Sequence, residues 1–295
     1  MRILITGALG QIGQELLYSA PNGWQVHGLN SSELDITDAK LVMATVQLLQ
    51  PQLIINTAAY TAVDQAENDS QRADAVNHLG AENLAKAAQN LGCPLLHIST
   101  DYVFSGEHNQ PYTEQDTATP CSVYAISKWL GEQAVREFCP QHIILRTSWV
   151  FGVHGNNFVK TMLRLGQERD ALNIVSDQTG GPTSARSIAQ ILWQIAQQYQ
   201  SRDSYAWGTY HFSGAPACSW YEFAGIIFKQ ATQLKLIKRS PVLNPINTSD
   251  YPTLAMRPTY SVLDNSKIQQ QLDICQNDWK SELNDMLKIL RGAQQ

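Results

Sequence analysis

Short runs of apolar and β-branched residues alternate with helical patterns through the first half of the chain. These runs cover residues 2–6, 24–29, 52–56, 94–98 and 142–146. Strands that are apolar on both faces are typical of parallel sheets with helices on either side. The alternation therefore predicts an α/β protein with a Rossmann-type, doubly wound parallel sheet.

The second half of the chain is patterned less regularly. Helical patterns occur near 158–166, around 188–195, over 220–233 and from Trp279 onward, and a proline-punctuated loop covers 241–258. We predict a dinucleotide-binding domain over residues 1–150, joined by about 172–212. A smaller C-terminal substrate-binding lobe would comprise residues 151–171 and 213–295.

Composition removes several functional classes. The formal net charge is −5 and no block of Lys or Arg occurs, which argues against nucleic-acid binding. No apolar run reaches the roughly 20 residues that span a bilayer, and Met1-Arg2 leads directly into the first predicted strand. The five cysteines are odd in number and lack a C-x-x-C spacing, which disfavours disulfides and a zinc site. We expect a cytoplasmic protein without membrane contact and without a bound structural metal.

A glycine-rich turn follows the first predicted strand. Gly7, Gly10 and Gly13 are spaced G-x-x-G-x-x-G between this strand and a helical pattern. Glycines let the backbone approach a pyrophosphate, whose charge is met by the N-terminus of the next helix. The spacing differs from G-x-G-x-x-G, so the match is partial, and an ordinary glycine-rich loop is the alternative.

Tyr124 and Lys128 are four residues apart in a helical pattern and therefore share one face. A nearby cation favours the phenolate and would lower the phenol pKa toward the range useful for acid–base catalysis. Taken alone, the pair also fits a half-buried Tyr beneath a solvated Lys. Residues 56–59 and 99–101 follow predicted strands, as does the glycine turn. In such sheets ligands bind beyond the carboxyl ends of the strands, so we expect these segments to form one site.

Eight segments, taken in chain order, carry a family resemblance. They are residues 7–13, 34–38, 56–67, 99–106, 124–128, 146–152, 178–183 and 257–258. Together they resemble the dTDP-4-dehydrorhamnose reductase family of the extended short-chain dehydrogenase/reductase superfamily, over nearly the whole chain. The glycine turn and Tyr-x-x-x-Lys belong to the superfamily, whereas 56–67 and 99–106 are more specific to these reductases.

The resemblance implies reduction, with NADPH or NADH, of the C4 keto group of dTDP-4-dehydro-L-rhamnose to give dTDP-L-rhamnose. It makes Tyr124 the proton donor. Lys128 would bind the nicotinamide ribose and hold the Tyr124 pKa down, and Thr100 would hydrogen-bond the reacting carbonyl oxygen.

The resemblance also implies the remaining ligand contacts. Besides Tyr124 and Lys128, the implied cofactor-binding residues are Gly7, Gly10, Gln11, Ile12, Gly13, Asn30, Asp35, Ile36, Ala58, Ala59 and Tyr60. Besides Thr100 and Tyr124, the implied substrate-binding residues are Thr61, Val63, Asp101, Tyr102, Trp149 and Arg257. Ordinary roles stay open for three of them. Thr100 could satisfy a nearby backbone group, Trp149 could fill a core, and Arg257 could form a surface ion pair.

Two departures from the family pattern bear on cofactor and assembly. The stretch 29–32 after the second strand lacks the carboxylate that selects NAD, so we expect NADPH to bind at least as well as NADH. Some family members dimerise through magnesium held by glutamates. Glu15 matches one of these ligands, but Arg186 and Gln190 stand where another is expected. This disfavours a magnesium-linked dimer, and the chain is expected to be a monomer or a homodimer.

Three other functions remain possible from the sequence. A sugar-nucleotide dehydratase needs an Asp-Glu pair after the threonine, but here Thr100-Asp101 is followed by Tyr102. An epimerase shares the Tyr and Lys and is distinguished by segments 56–67 and 99–106. A non-catalytic binding protein, similar to the regulatory β subunit of methionine adenosyltransferase, could retain the same residues without turnover.

Overall fold

The computed structural model describes residues 1–201 and 205–293. The strands are β1 (Arg2–Thr6), β2 (Gln25–Leu29), β3 (Leu53–Asn56), β4 (Leu95–Thr100), β5 (His142–Thr147), β6 (Val150–Phe151), β7 (Ala171–Val175), β8 (Thr179–Gly180), β9 (Thr183–Ser184), β10 (Gly208–His211), β11 (Cys218–Ser219) and β12 (Val242–Ile246). The helices are α1 (Gln11–Tyr18), α2 (Ala39–Leu49), α3 (Val63–Ala66), α4 (Ser70–Asp74), α5 (Gly80–Leu91), α6 (Val123–Phe138), α7 (Phe158–Glu168), α8 (Ala185–Ser201), α9 (Trp220–Gln233), α10 (Ser266–Leu272) and α11 (Trp279–Gly292). A π-helical turn, Ala75–Leu79, joins α4 to α5, and a 3-10 turn, Asp101–Val103, follows β4.

Six parallel strands form the central sheet in the order β2-β1-β3-β4-β5-β10. This confirms the predicted doubly wound parallel sheet. Strand order reverses between β1 and β3, and in open α/β sheets the ligand crevice lies beyond the carboxyl ends of the strands at such a point.

The inner strands β1, β3, β4 and β5 are buried on both faces of the sheet, which explains the apolar runs in their sequences. Ile3 and Ile5 of β1 pack on one face in a cluster that includes residues of α1 and α8. Leu4 of the same strand points to the opposite face, where α2, α5 and α6 contribute to the cluster. Successive side chains of a strand point to opposite faces, so one short strand supports both layers.

A separate apolar cluster lies outside the central sheet. Phe223 and Phe228 of α9, Trp279 and Leu287 of α11 and Val159 of α7 are among its buried members. Strands β7 and β12 pair in parallel beside it. The strand β12 was not predicted, because its sequence lies in the proline-punctuated region. It contains Pro245, which lacks an N–H, but a two-stranded pair leaves one edge of the strand unpaired.

Among the described residues, no helix is both long enough and apolar enough to cross a membrane.

Candidate functional site

The turn between β1 and α1 is shaped for close backbone contact. Gly7 has a φ of +72°, and a Cβ there would stand 2.5 Å from the backbone nitrogen of Ala58. Any other residue would push this turn away from the loop after β3. Helix α1 begins with no side chain capping its first turn, so its N–H groups can face an anion. These features fit a dinucleotide pyrophosphate.

The segment after β6 fixes the orientation of Gln11 in this turn. Asn157 Nδ2 donates to Gln11 Oε1 at 2.9 Å and to Gly152 O at 2.8 Å, while Asn157 Oδ1 caps α7 at the backbone nitrogen of Lys160. With Oε1 occupied, Gln11 can offer its amide N–H groups to an anion. Sequence reasoning missed Asn157, although an Asn before a helical pattern is a common N-cap.

Carboxylates do lie near the end of β2. Glu33 accepts hydrogen bonds from the Asn30 backbone nitrogen at 3.0 Å and from Asn30 Nδ2 at 2.6 Å. Asp35 Oδ1 accepts from the backbone nitrogen and hydroxyl of Thr37, and these bonds lower the pKa of Asp35. The loop thus folds Glu33 back onto Asn30, a contact that the linear stretch 29–32 did not reveal.

The phenol of Tyr124 stands among groups that end β4. Its ring packs edge to face with Tyr102, with ring centroids 5.7 Å apart. Burial raises the pKa of Tyr124 to about 12, with a smaller lowering from the Thr100 hydroxyl. The expected lowering of this pKa by Lys128 is therefore wrong, because burial dominates. The phenol stays protonated at neutral pH, which is the form a proton donor needs.

Thr100 and Asp101 are buried beside Tyr124. The Thr100 hydroxyl donates to Asp101 Oδ1 at 3.0 Å and accepts from the Tyr102 backbone nitrogen at 3.2 Å. Burial raises the pKa of Asp101 to about 6, opposed by hydrogen bonds from Ser261 and Thr100. In this structure the single Thr100 proton is thus directed at Asp101.

A buried polar chain runs beneath the site from β1 to α6. Thr6 Oγ1 donates to Asn56 Oδ1 at 2.7 Å, and Asn56 Nδ2 lies 3.0 Å from His97 Nδ1. His97 Nε2 lies 3.5 Å from Lys128 Nζ, which donates to Ile98 O at 2.7 Å. Burial lowers the pKa of Lys128 to about 8, although Glu132 opposes this. Sequence reasoning missed His97, whose position within an apolar strand is usually that of a core residue.

An ion-pair cluster one turn farther along α6 holds this helix to the sheet. The Glu132 side chain is fully buried, and its carboxylate accepts from Arg146 Nε at 2.9 Å and Nη2 at 2.7 Å. Arg136 and Ser99 donate to the same carboxylate. These partners lower the pKa of Glu132 to about 2 even though burial alone would raise it.

Trp149 is held between two residues rather than lying open to a ligand. It has a φ of +46°. Its indole stacks on Trp220, with centroids 3.5 Å apart, and Gly180 lies over the other face, where a Cβ would stand 2.6 Å from Cε2. The 178–183 turn thus brings a glycine against the indole.

Arg257 forms an ion pair with Asp64 of α3. The guanidinium donates to Asp64 Oδ1 at 3.1 Å and to Oδ2 at 2.5 Å. The Ala255 backbone nitrogen also donates to Asp64, so this carboxylate ties the segment before Pro258 to the loop after β3. The ion pair that the sequence left open as an alternative for Arg257 is therefore present in the structure.

The loop after β3 is held by a residue that sequence reasoning missed. Asn77, in the π-helical turn, accepts from the Tyr60 backbone nitrogen at 2.8 Å and donates to Tyr60 O and to Ser127 Oγ. It thereby joins this loop to α6.

The predicted ligand contacts are grouped by strand end. Gly7, Gly10, Gln11, Ile12 and Gly13 follow β1, Asn30, Asp35 and Ile36 follow β2, Ala58, Ala59, Tyr60, Thr61 and Val63 follow β3, Thr100 ends β4, Asp101 and Tyr102 follow it, and Trp149 follows β5.

No group of three or more His, Cys, Asp or Glu residues that could hold a metal ion occurs within 1–201 and 205–293. Burial raises the pKa of Glu15, against smaller lowering effects from His154, whose Nε2 lies 3.8 Å from Glu15 Oε1, and from the positive charge of Arg186.

Comparison with known proteins gives a consistent result. The family model described as RmlD substrate binding domain matches residues 1–291. The dTDP-4-dehydrorhamnose reductase of Aggregatibacter actinomycetemcomitans is 47% identical over 287 residues, which cover 97% of this chain and 98% of that relative.

Solved structures agree with this match. The dTDP-4-dehydrorhamnose reductase of Clostridium acetobutylicum superimposes with a TM-score of 0.92 at 37% identity, covering 99% of this chain and 100% of that one. The Bacillus anthracis enzyme, solved in complex with NADP, gives a TM-score of 0.91 at 36% identity, with 98% and 99% coverage.

Proposed function

This chain belongs to the RmlD family of dTDP-4-dehydrorhamnose reductases, and on that premise we propose that it reduces the C4 keto group of dTDP-4-dehydro-L-rhamnose to give dTDP-L-rhamnose, with NADPH or NADH. The observation that carries this is that Tyr124 and Lys128 of α6 lie against the end of β4, where Thr100 interacts with Tyr124 and Ile98 O accepts from Lys128. A dehydratase would need a second acid after Asp101, where Tyr102 stands instead.

The residues present fit a nicotinamide dinucleotide. Gly7 and the uncapped start of α1 suit the pyrophosphate, with Gln11 oriented by Asn157. Asn30 and Asp35 would contact the adenosine end, and Lys128 the nicotinamide ribose. When bound, the reduced nicotinamide supplies the hydride.

Tyr124 acts as the proton donor to the developing alkoxide in this proposal. Burial keeps the phenol protonated at neutral pH, and a positioned donor prevents charge from accumulating on the oxygen. Thr100 contacts the same oxygen. To donate to it, its hydroxyl must turn from Asp101 Oδ1, which accepts the Thr100 proton in the structure.

The substrate would lie between the first lobe and the C-terminal lobe. We propose that the edge of the Trp149 indole, Tyr102, Thr61 and Val63 line its path and that Arg257 exchanges Asp64 for the diphosphate. An arginine fork suits both anions. The proposed lobes are those of the predicted division, with two exceptions. Leu172 and Ile174 of β7 pack with the C-terminal cluster, and Ile268 and Leu272 of α10 pack with the cluster of the central sheet.

Assembly and location remain predictions. We propose a monomer or homodimer without a bridging magnesium, because Glu15 faces His154 and Arg186. The described cysteines are all free thiols, which supports a cytoplasmic location.

Turnover by the purified protein tests the proposal. We expect NADPH oxidation to depend on the dTDP-4-keto sugar and to yield a dTDP-6-deoxyhexose with a new C4 hydroxyl, identified by mass spectrometry and NMR. Epimerised or dehydrated sugar without net NADPH consumption would point to another member of the superfamily. Binding of both ligands without turnover would identify a binding protein.

A further inference from the structure

The amide of Asn56 has only one orientation that satisfies its neighbours. Asn56 Oδ1 accepts from the Ala58 backbone nitrogen at 3.0 Å and from Thr6 Oγ1 at 2.7 Å. A backbone N–H can only donate, so the amide oxygen must face Ala58. The amide nitrogen then faces His97 Nδ1, 3.0 Å away, and donates to it.

This hydrogen bond determines which His97 nitrogen carries the proton. A neutral imidazole has one donor and one acceptor nitrogen, so acceptance at Nδ1 puts the hydrogen on Nε2. Nε2 lies 3.5 Å from Lys128 Nζ. The imidazole therefore presents an N–H, and no lone pair, to the ammonium group.

The charges around His97 keep it neutral. Burial and the positive charge of Lys128 hold the pKa of His97 well below its usual range, with smaller effects in the same direction from His142 and Arg136, against an opposing effect from Glu132. His97 is 1% exposed and Lys128 is 2% exposed, so solvent does not supply either group with another partner.

We propose that His97 is a positioning residue for Lys128: by presenting Nε2–H, it denies the ammonium a second inward acceptor. An ammonium has three N–H donors. One is used by Ile98 O at 2.7 Å, and two remain for the nicotinamide ribose and the phenol side of the site. This role rests on the proposed function, because it matters only where Lys128 binds the cofactor.

The same hydrogen-bond network links the loop after β3 to Lys128. Ala58, whose backbone nitrogen orients Asn56, belongs to the loop that the Gly7 turn approaches. The backbone of this loop thus fixes the orientation of the Asn56 amide, and the amide fixes the tautomer of His97. The tautomer in turn determines which acceptors are available to the Lys128 ammonium.

The tautomer can be read in the unmodified protein. Long-range ¹H–¹⁵N correlation spectra distinguish a protonated ring nitrogen from an unprotonated one, and the His97 signals are assigned by their absence from the His97→Gln spectrum. We expect the Nε2–H tautomer and no titration between about pH 6 and 9. An Nδ1–H tautomer, or protonation of His97 within that range, would overturn the proposal.

The His97→Gln substitution tests the proposal through a pH profile, which a simple loss of packing would not change. In His97→Gln, the side-chain carbonyl can accept from the ammonium, so we expect about tenfold weaker NADPH binding and a Lys128 pKa raised by about one unit, seen in the pH profile of kcat/KM for NADPH. Tyr124 and Glu132, on the same helix as Lys128, are unchanged in this variant.

The matched control is His142→Gln, which replaces a buried histidine on the adjacent strand whose Nδ1 bonds to Cys139 O. It should lower the melting temperature while leaving NADPH affinity and the pH profile unchanged. If His97→Gln behaves like this control, the positioning role is wrong. NADPH affinity and the tautomer are measured without the keto sugar, so absence of reduction in the parent protein would overturn the proposed function alone.

Discussion

Asp64 and Arg257 lie 193 positions apart in the chain, yet their side chains form a two-point ion pair at 3.1 and 2.5 Å. The pair ties the loop after β3 to the segment that precedes Pro258. Because the Arg257 side chain is partly exposed, we propose that a diphosphate displaces the Asp64 carboxylate from the guanidinium.

We expect Arg257→Gln to lower kcat/KM for the keto sugar by about 10–100-fold while NADPH affinity stays within about twofold of the parent. Stability should change by only about 0–1 kcal/mol, since Asp64 is 41% exposed in this pair. Steady-state kinetics measure kcat/KM for the keto sugar, and cofactor titration measures NADPH affinity. Asp64→Asn is the paired variant and should lower KM, because the substrate no longer competes with a carboxylate. Unchanged kinetics in Arg257→Gln would show that the guanidinium does not bind the substrate and only forms the ion pair with Asp64.

Glu132 should dominate the acid sensitivity of the fold. Its pKa is lowered from 4.5 to about 2, so the stabilisation by its charged form is fully present above 4.5 and is lost as pH falls toward 2. Glu132→Gln leaves Arg146 buried without its charged partner and should cost about 3–5 kcal/mol of unfolding free energy. Urea unfolding at neutral pH and near pH 3 measures this. We expect the difference between parent and variant to shrink at the lower pH, and an equal difference at both would contradict the assigned pKa.

The carboxylate of Glu33 should bias the choice of cofactor. Its contact with Asn30 places a negative charge near the end of β2, where a 2′-phosphate would be repelled. Glu33→Gln should therefore shift the ratio of NADPH to NADH affinity toward NADPH by about three- to tenfold. Exposed Glu137 on α6 supplies the control, since Glu137→Gln should leave the ratio unchanged. If the ratio of NADPH to NADH affinity is the same in both variants, Glu33 has no role in cofactor selection.

Lys128 should set the alkaline limit of cofactor use. Its ammonium, with a pKa lowered to about 8, is present below that pH and lost above it. We therefore expect kcat/KM for NADPH, which reports the free enzyme, to fall above about pH 8. Tyr124 should not contribute there, because its pKa is raised to about 12. Lys128→Met should weaken NADPH binding and abolish this decline, and a decline that survives the substitution would assign it to another group.

The sequence predicted five of the six strands of the central sheet, because the apolar runs of these strands leave little ambiguity. It missed β10 and β12 for physical reasons. The Gly208–His211 strand contains only four residues, half of them polar, and the β12 strand carries Pro245. Either sequence could equally form a loop, and it is pairing with a neighbouring strand that makes each of them a strand.

For the candidate site, the sequence suggested a role only where the residue type itself indicates a chemistry. Tyr124 and Lys128 were proposed from their spacing. His97, Asn77 and Asn157 were missed, since a buried polar residue acquires its role from partners distant in the chain. The direction predicted for the pKa of Tyr124 was also wrong, because this pKa is raised and not lowered. The cause is burial, which depends on the fold and is not visible in the four-residue spacing.

Single-turnover reduction by Tyr124→Phe tests the central claim most directly. The substitution keeps the ring and its contact with Tyr102 but removes the proton placed to neutralise the alkoxide. We predict that hydride transfer slows by about 10²–10⁴-fold while NADPH affinity and melting temperature stay close to the parent values. Tyr210→Phe is the control, because it removes a buried hydroxyl bonded to Ala206 O and Gln271 and should leave the rate unchanged. A Tyr124→Phe protein that reduces the keto sugar within a few-fold of the parent rate would contradict the account.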